Sequence, residues 1–404
     1  METRAGDPGA FAQFDLERVD SPAFVVDAAR LRANLRVLQD IGERSGAKVL
    51  AALKAFSMWS TAPIVGEYLD GVCTSGLWEA RLASEFYDGE ITTYCAAYKP
   101  QDLPEILRLS DHVIFNSPGQ IERLWPIIEN ARASGEAFDI GLRINPLHAE
   151  GEVPRYDPCA PHSRLGFPID QLTADHIGRV DGLHMHTLCE QDFGPLERTW
   201  SKAFDYLEPW FGEFKWINLG GGHHVTRADY QREDLIQFLA DVADDTGAQV
   251  YIEPGEAVAL DAGILVGTIL DTGWNGMPVA ITDISATCHM PDVIEAPYRP
   301  AMLGERADSA AGIVDDGMSQ GQGDRVRLGG PSCLAGDVIG DYALPVPAEP
   351  GERFAFLDQA HYSMVKTTTF NGVPLPSIWL WDSETDALEC VKRFDYEDFR
   401  DRLS

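Results

Sequence analysis

The sequence predicts an α/β protein, with an N-terminal (β/α)8 barrel followed by a C-terminal mostly-β domain. Three observations predict it. Eight short apolar runs alternate with amphipathic helical stretches across residues 25–260. Beyond that point, strand-like runs follow one another with Gly and Pro turns and little helix between them. The chain has 404 residues, 45% of them hydrophobic, which is enough to bury one large core and a smaller one. An open doubly wound sheet shows the same alternation and is the competing arrangement for the first part.

Met1 to Gln13 is polar and Gly-containing and reads as a frayed tail. Ser21-Pro22 makes a turn before the strand Ala23-Phe24-Val25-Val26-Asp27, and Asp27 is placed to cap a helix from Ala28 to Gly42. Residues 1–24 are expected to pack with the C-terminal domain. Barrel strands are expected at Val49–Lys54, Gly71–Ser75, Ile91–Ala97, His112–Asn116, Asp139–Ile144, Val180–Thr187, Trp216–Gly220 and Gln249–Glu253. Helical periodicity fills the intervals at Trp78–Phe86, Pro118–Ala133, Leu196–Phe211 and Asp229–Thr246. The stretch Pro146 to Arg164 is long, charged and Pro-rich, as befits a loop over a barrel mouth. In the C-terminal domain, 261–404, strands are expected at Ile264–Leu270, Val279–Ile284, Asp324–Leu328, Phe354–Leu357 and Met364–Phe370. Gly304 to Gly323 is polar, acidic and Gly-rich and reads as a surface loop.

Sixty-four acidic residues against 32 Lys and Arg give a formal charge of −32. That balance argues against nucleic acid or an anionic membrane as partner and fits a cationic small molecule. No apolar run is long enough to span a bilayer, and no charged-then-apolar signal opens the chain. Seven cysteines without a CxxC pair imply reduced thiols and a cytoplasmic protein. His184 with His186, and His223 beside His224, lack the Cys or carboxylate set that would complete a metal site, so none is expected.

Chemistry in a barrel belongs at the C-terminal strand ends. Here those positions hold Lys54, Ser75, Asn116, Arg143, His186, Gly220-Gly221-Gly222 and Glu253. A lysine at such a mouth is either a solvated strand end or a Schiff-base amine, its pKa lowered by partial desolvation. Three consecutive glycines are either a plain flexible turn or a backbone cradle for phosphate. His186 is either a satisfied core histidine or a flat ring laid against a flat cofactor. Glu253, made rigid by Pro254-Gly255, can keep a pyridine nitrogen protonated. Lysine, phosphate cradle, stacking ring and pyridinium partner together describe a site for pyridoxal 5′-phosphate (PLP).

The motifs agree with that description. Ser163-Arg164-Leu165-Gly166-Phe167, Gly330-Pro331-Ser332-Cys333-Leu334-Ala335-Gly336-Asp337, and Tyr362 with Thr369-Phe370-Asn371-Gly372 resemble segments of the alanine-racemase-like, fold-type III PLP-dependent decarboxylases. Ala52-Leu53-Lys54-Ala55-Phe56-Ser57, His186-Thr187-Leu188-Cys189-Glu190, His289-Met290-Pro291-Asp292-Val293 and Lys366-Thr367-Thr368 resemble, more narrowly, the carboxynorspermidine decarboxylases. The resemblance runs from about Ser21 to the C-terminus. It implies decarboxylation of a cationic carboxy-polyamine, carboxynorspermidine or carboxyspermidine, to norspermidine or spermidine.

It also implies roles. Lys54 would hold the cofactor covalently, His186 would stack on its ring and Glu253 would meet the pyridine nitrogen. Gly220, Gly221, Gly222, Gly255 and Tyr362 would hold the phosphate. Cys333 would return a proton after CO₂ loss, reaching in from the second subunit of a homodimer with shared active sites. Most free cysteines are small buried hydrophobes, and it is the motif that sets Cys333 apart. Asp337 would line the pocket for the distal amine. Carboxylates in an acidic protein are usually solvated, but one among Asp283, Asp292 and Glu295 is a further candidate to meet the substrate's ammonium groups. Arg143 would order the site through an ion pair. In two places the chain departs from the ornithine-type pattern. Glu256 stands where an arginine faces the phosphate, and Leu334 follows the cysteine in place of an aspartate. Decarboxylases of diaminopimelate, ornithine or arginine are the alternatives among enzymes. A racemase is disfavoured, since that branch pairs the pyridine with arginine where Glu253 stands. A non-catalytic PLP-binding regulatory homologue is the alternative of another class.

Overall fold

The computed structural model describes residues 6–151, 154–305 and 325–404. The chain divides into two compact units, Arg32–Val258 and Met1–Leu31 with Ala259–Ser404. The first strand, β1 (Ala23–Asp27), lies wholly in the second of these, so the division falls within the following helix rather than at residue 24.

Eight parallel strands build the unit Arg32–Val258. They are β2 (Lys48–Ala52), β3 (Gly71–Thr74), β4 (Glu90–Tyr94), β5 (His112–Phe115) and β6 (Asp139–Asn145), then, past a two-residue β7 (Phe167–Pro168) that adds to β6, β8 (Gly182–His184), β9 (Trp216–Asn218) and β10 (Gln249–Ile252). Pairing of β2 with β10 and of β5 with β6 closes the ring, which an open doubly wound sheet cannot do. Each strand lies where the alternation predicts it, but most stop short of the expected C-terminal end. The ladder ends before the polar residues begin: Lys54, Ser75, His186, Gly220 and Glu253 all follow the last paired residue of their strands.

The opposite rim shows what fastens the ring. Asp70, Asp111 and Asp181 each immediately precede a strand, β3, β5 and β8. Each accepts a backbone N–H from the neighbouring strand, from Val49 at 2.8 Å, Ile91 at 2.8 Å and Ile140 at 2.9 Å. A carboxylate bonded to a strand-end amide satisfies a donor the ladder leaves over. Inside, Trp216 stacks on His112 at 4.5 Å. Gly141 and Gly182 make room for it, since a Cβ at either would lie 2.4 and 2.1 Å from its indole ring. Helices α1 (Ala28–Ser45), α2 (Ala62–Gly66), α3 (Leu77–Phe86), α4 (Leu103–Leu109), α5 (Pro118–Ala133), α6 (Ala174–Ile177), α7 (Phe193–Leu207) and α8 (Arg232–Thr246) fill the intervals between strands. Helix α7 illustrates the code, burying Phe193, Leu196, Trp200, Ala203 and Leu207 at alternating spacings of three and four.

The other unit is a mixed sheet in the order β14-β13-β12-β11-β1-β16-β17, with β15 also paired to β11. Its strands are β11 (Gly263–Trp274), β12 (Pro278–Thr282), β13 (Val326–Gly329), β14 (Val338–Tyr342), β15 (Arg353–Leu357), β16 (Ser377–Asp382) and β17 (Ala387–Lys392). Central β1 runs antiparallel to β11 and parallel to β16. Asp27 ends it and, as expected, caps the next helix, accepting from Ala29 N at 3.0 Å; Ser383 Oγ donates to its second oxygen at 2.7 Å.

Two expectations fail in this unit. Residues up to Gln13 are not all frayed, because Gly9–Gln13 forms a 3₁₀ turn and Phe11 is buried against Phe14 and Trp381. Met364–Phe370 is not a strand but lies between two 3₁₀ turns, Met364–Lys366 and Phe370–Gly372. Its groups bond individually, Thr368 N to Cys288 O at 2.9 Å and Lys366 Nζ to Asp292 at 2.6 Å, in place of a ladder. Residues 306–323 of the expected Gly304–Gly323 loop lie outside the described residues. Among the described residues, no helix is long and apolar enough to cross a membrane.

Candidate active site

Lys54 follows β2 by two residues, in a turn made by Ala55 N and Phe56 N bonding back to Ala52 O at 3.1 and 3.4 Å. The turn releases its side chain into a pocket lined by Cys73, Thr74, Ser75, Tyr94, Arg143, His184, His186 and Glu253. The amine reaches solvent on one side and is enclosed by protein on the others. This enclosure lowers its pKa below the ordinary lysine value, while Cys73 and Glu253 oppose the shift and Arg143 adds to it. The nearest polar neighbour is His186, whose Nε2 lies 3.4 Å from Lys54 Nζ. On its other side His186 accepts the backbone N–H of Gly221 at Nδ1, at 3.1 Å. That bond fixes the tautomer: the ring carries its proton on Nε2 and offers it toward Lys54. Burial, with Lys54 and Arg143 nearby, pushes the His186 pKa far down and keeps the ring neutral.

Glu253 follows β10 by one residue and is buried. His184 Nε2 meets Oε2 at 3.2 Å, and Asn218 Nδ2 donates to Oε1 at 2.8 Å. Burial by itself raises the carboxyl's pKa. His184, the two hydrogen bonds and Lys54 outweigh it, so Glu253 stays ionised below the usual range. Asn218 also accepts Gly220 N at 2.8 Å, and Glu253 N donates to Gly220 O at 2.7 Å, so carboxylate and glycine turn are tied together. His184 Nδ1 is buried without a hydrogen-bond partner among the described residues, which fits a neutral ring carrying its proton on Nε2. His184 and Asn218 escaped the sequence reading as partners of Glu253. Their only signal was parity, each lying two residues before an expected site residue on the same face of its strand.

The glycines answer to sterics first. Gly220 and Gly222 have φ of +72° and +88°, and a Cβ on Gly221 would lie 2.0 Å from Glu253 O. Close packing onto the strand ends, not flexibility, therefore requires all three. Within the turn, Gly221 N–H is committed to His186. The N–H groups of Gly222 and His223 bond to no group among the described residues, as a cradle for an anion would require.

Arg143 is buried and donates to His186 O at 2.8 Å, with its guanidinium 4.5 Å from the centre of the Tyr94 ring. It orders the site through a carbonyl and an aromatic face, whereas an ion pair was expected. Asn116 pins the Ser163–Phe167 phrase, accepting Gly166 N at 2.7 Å and donating to Arg164 O at 2.9 Å. A larger cavity of about 330 Å³ lies between α7 and α8, where Trp200, Phe204 and Phe238 are joined by Ser201 and the carboxylates of Glu197, Asp241 and Asp245, with no lysine or imidazole in its lining.

The residues expected from the second unit can be placed within that unit. Cys333 is exposed in the β13–β14 connection, its N–H held by Asn371 Oδ1 at 2.9 Å. Tyr362 has φ +50°, with Lys366 Nζ 5.7 Å from the centre of its ring. Three carboxylates expected to meet substrate amines have internal partners instead. Asp337 is buried and accepts from Ser285 Oγ at 2.8 Å, Ser332 Oγ at 2.6 Å and Thr287 N at 3.2 Å. It shapes the Cys333 loop, and Gly330 must be glycine because a Cβ there would lie 2.3 Å from its oxygen. Asp292 gives both oxygens to Lys366, at 2.6 and 2.8 Å. Asp283 accepts Ser21 Oγ at 2.6 Å and Thr268 N at 2.7 Å, with burial raising its pKa. Glu295 is exposed on a short helix, Asp292–Glu295.

Comparison with known proteins agrees with this geometry. Residues 23–360 match the family model described as pyridoxal-dependent decarboxylase, C-terminal sheet domain. The chain is 39% identical over 385 residues to a carboxynorspermidine/carboxyspermidine decarboxylase of Campylobacter jejuni, covering 95% of this chain and 98% of that one. It is 38% identical over 394 residues to a carboxyaminopropylagmatine decarboxylase of Synechocystis, covering 96% of each. The crystal structure of a Campylobacter jejuni carboxynorspermidine decarboxylase complexed with norspermidine superposes with a TM-score of 0.85 at 38% identity, over 95% of this chain and 100% of that one. A closed barrel whose lysine, imidazole, buried carboxylate and glycine turn converge on one pocket thus coincides with a family match over most of the length, and the chain belongs to the pyridoxal-dependent decarboxylases.

Proposed function

We propose that this protein decarboxylates carboxynorspermidine, and carboxyspermidine with it, to give norspermidine and spermidine in polyamine biosynthesis. The observation that carries the substrate class is the 39% identity to an enzyme of that name over nearly the full length of both chains. The barrel pocket supports the cofactor. Its fit rests on the uncommitted N–H groups of the glycine turn for phosphate, the lowered amine of Lys54 for an aldehyde, and the ionised Glu253 for a ring nitrogen. When bound, PLP supplies an electron-drawing ring conjugated to the substrate's α-carbon.

The protein's own part is positioning and proton control. His186, neutral and fixed by Gly221, offers Nε2–H to Lys54 Nζ and so favours the unprotonated amine, the nucleophilic form. Glu253 keeps a negative charge where a pyridine proton has to be held, with His184 and Asn218 fixing its orientation. Arg143 holds the carbonyl of His186 and with it the plane of the ring. Cys333 Sγ, exposed in the β13–β14 connection, would donate the proton that replaces CO₂, in trans across a homodimer, as its motif implies.

A second reading, decarboxylation of carboxyaminopropylagmatine, is favoured by the 38% identity to the Synechocystis enzyme. CO₂ release measured across carboxynorspermidine, carboxyspermidine, carboxyaminopropylagmatine, diaminopimelate and ornithine separates these readings. The highest kcat/KM is expected on carboxynorspermidine. A preference for the guanidino substrate establishes the second reading, and no release from any of them supports a regulatory homologue.

The shared site has its own test. Lys54→Ala and Cys333→Ala homodimers are each expected to be nearly inactive. After subunit exchange, a mixed dimer holds one doubly damaged site and one intact site, so random pairing restores roughly a quarter of wild-type activity. If exchange is demonstrated by mass and activity stays at the level of the parents, each site is built within one chain.

A further inference from the structure

Past Gly222 the turn continues into two histidines whose surroundings are opposite. His223 is buried, with Nδ1 2.7 Å from Tyr230 Oη, and burial holds its pKa down to about 4. His224 is half-buried, with Nδ1 3.6 Å from Oε1 of Glu256, the first residue of the one-turn helix α9 (Glu256–Ala259). The two side chains are only 13% and 20% exposed, so solvent screens their charges weakly. The other titratable or charged groups around His224 are Glu190, Arg227, Asp229 and His223. Arg227 spends its guanidinium on Asp229, at 3.2 and 3.0 Å. Burial alone lowers the His224 pKa, but the Glu256 carboxylate beside it outweighs burial and raises the value above the ordinary histidine range.

Glu256 raises a question of charge. A half-buried carboxylate three residues past Glu253, beside a turn with uncommitted N–H groups, opposes any dianion held there. We propose that His224 and Glu256 form a charge-compensated pair that governs how firmly the glycine turn holds the cofactor's phosphate, the imidazolium masking the carboxylate. This rests on the phosphate reading of Gly220–Gly222 given above. The imidazole is charged below its raised pKa and neutral above it. The phosphate-dependent part of cofactor affinity is therefore present at low pH and lost as pH rises through that value.

The test titrates the apoenzyme with PLP and with pyridoxal, which lacks the phosphate, following the absorbance of each between about pH 6.5 and about 9. Both ligands depend on the titration of Lys54. Each ligand's own solution chemistry, including the ring closure open to pyridoxal through its free 5′-hydroxyl, is common to every protein compared. The ratio of dissociation constants in wild type against that in a variant at the same pH therefore isolates the pair's effect on phosphate binding. In the wild type the PLP advantage is expected to fall by about tenfold or more across that range. His224→Gln should show the reduced advantage at every pH, with pyridoxal affinity unchanged, which also reports an intact site. Glu256→Gln should flatten the fall, because no carboxylate is left to unmask when His224 loses its proton. The double variant should hold PLP more tightly than His224→Gln alone, because the unmasked carboxylate has gone. A His224→Gln protein that keeps the wild-type ratio and pH profile overturns the inference, as does a double variant no better than that single one. If the wild type binds pyridoxal and PLP equally at all pH values, the phosphate reading of the turn itself is wrong.

Discussion

Lys54→Ala is expected to lower kcat by on the order of 10⁴-fold or more, the scale seen when a covalent group is removed from a catalytic unit. The fold should survive, because among the described residues the amine makes one long hydrogen-bond contact, 3.4 Å to His186 Nε2, and Glu253 keeps its bonds from His184 and Asn218 without it. Thermal unfolding of the apoprotein should therefore be nearly unchanged while the visible absorbance of the bound cofactor is lost. In the wild type, borohydride treatment and peptide mapping should place the cofactor's mass on Lys54. Mapping to any other lysine ends the assignment. Its position makes the prediction specific: an amine whose pKa burial lowers, facing an imidazole N–H that prefers a neutral neighbour, is the one chemically poised to attack an aldehyde.

The barrel was legible because its signal repeats. Eight apolar runs at regular intervals leave few topologies, and each strand was found with its ends shifted by a few residues. The C-terminal sheet was less legible. β14 carries a buried Asp341, β16 alternates the buried Ser377, Trp379 and Trp381 with half-buried neighbours, and β17 is largely exposed, so none gave an apolar run to read. Met364–Phe370 had the composition of a strand, yet its amides and side chains go to Cys288 and Asp292, contacts that no local pattern encodes. The aspartates at 70, 111 and 181 were legible in principle, each placed before a strand, but their meaning depends on which strand lies alongside.

For the pocket, residue type and strand-end position located Lys54, His186, Glu253 and the glycine turn without reference to any contact. Partnership was the part that could not be read. Asp337 and Asp292 looked like free carboxylates in a motif, and the structure commits one to Ser285 and Ser332 and the other to Lys366. A sequence lists charges; only the fold shows which of them are already spent.

Glu253→Gln is the second large effect, expected to cut kcat by about 10²–10³-fold, the range for removing one preorganised charge from a site. The amide has the carboxylate's volume, so the pocket keeps its shape. It cannot, however, hold a proton on a pyridine nitrogen by charge. Its carbonyl oxygen can face His184 Nε2–H or Asn218 Nδ2, but its NH₂ must then oppose the other donor, where the carboxylate accepts both. That mismatch should destabilise the protein by about 1–3 kcal/mol, the cost of a buried donor left unmatched. Asn218→Asp is the informative companion. It keeps the Glu253 carboxyl but sets a second carboxyl 2.8 Å from it where an amide had donated, so the two must share a proton and the negative charge at Glu253 is partly lost with its volume unchanged. If Glu253 acts through its charge, Glu253→Gln should retain PLP yet lose turnover, with an unchanged bound-cofactor stoichiometry. Unchanged kcat with weakened cofactor retention would instead make Glu253 a support for the Asn218–Gly220 connection, and the electron-sink role would pass to another group.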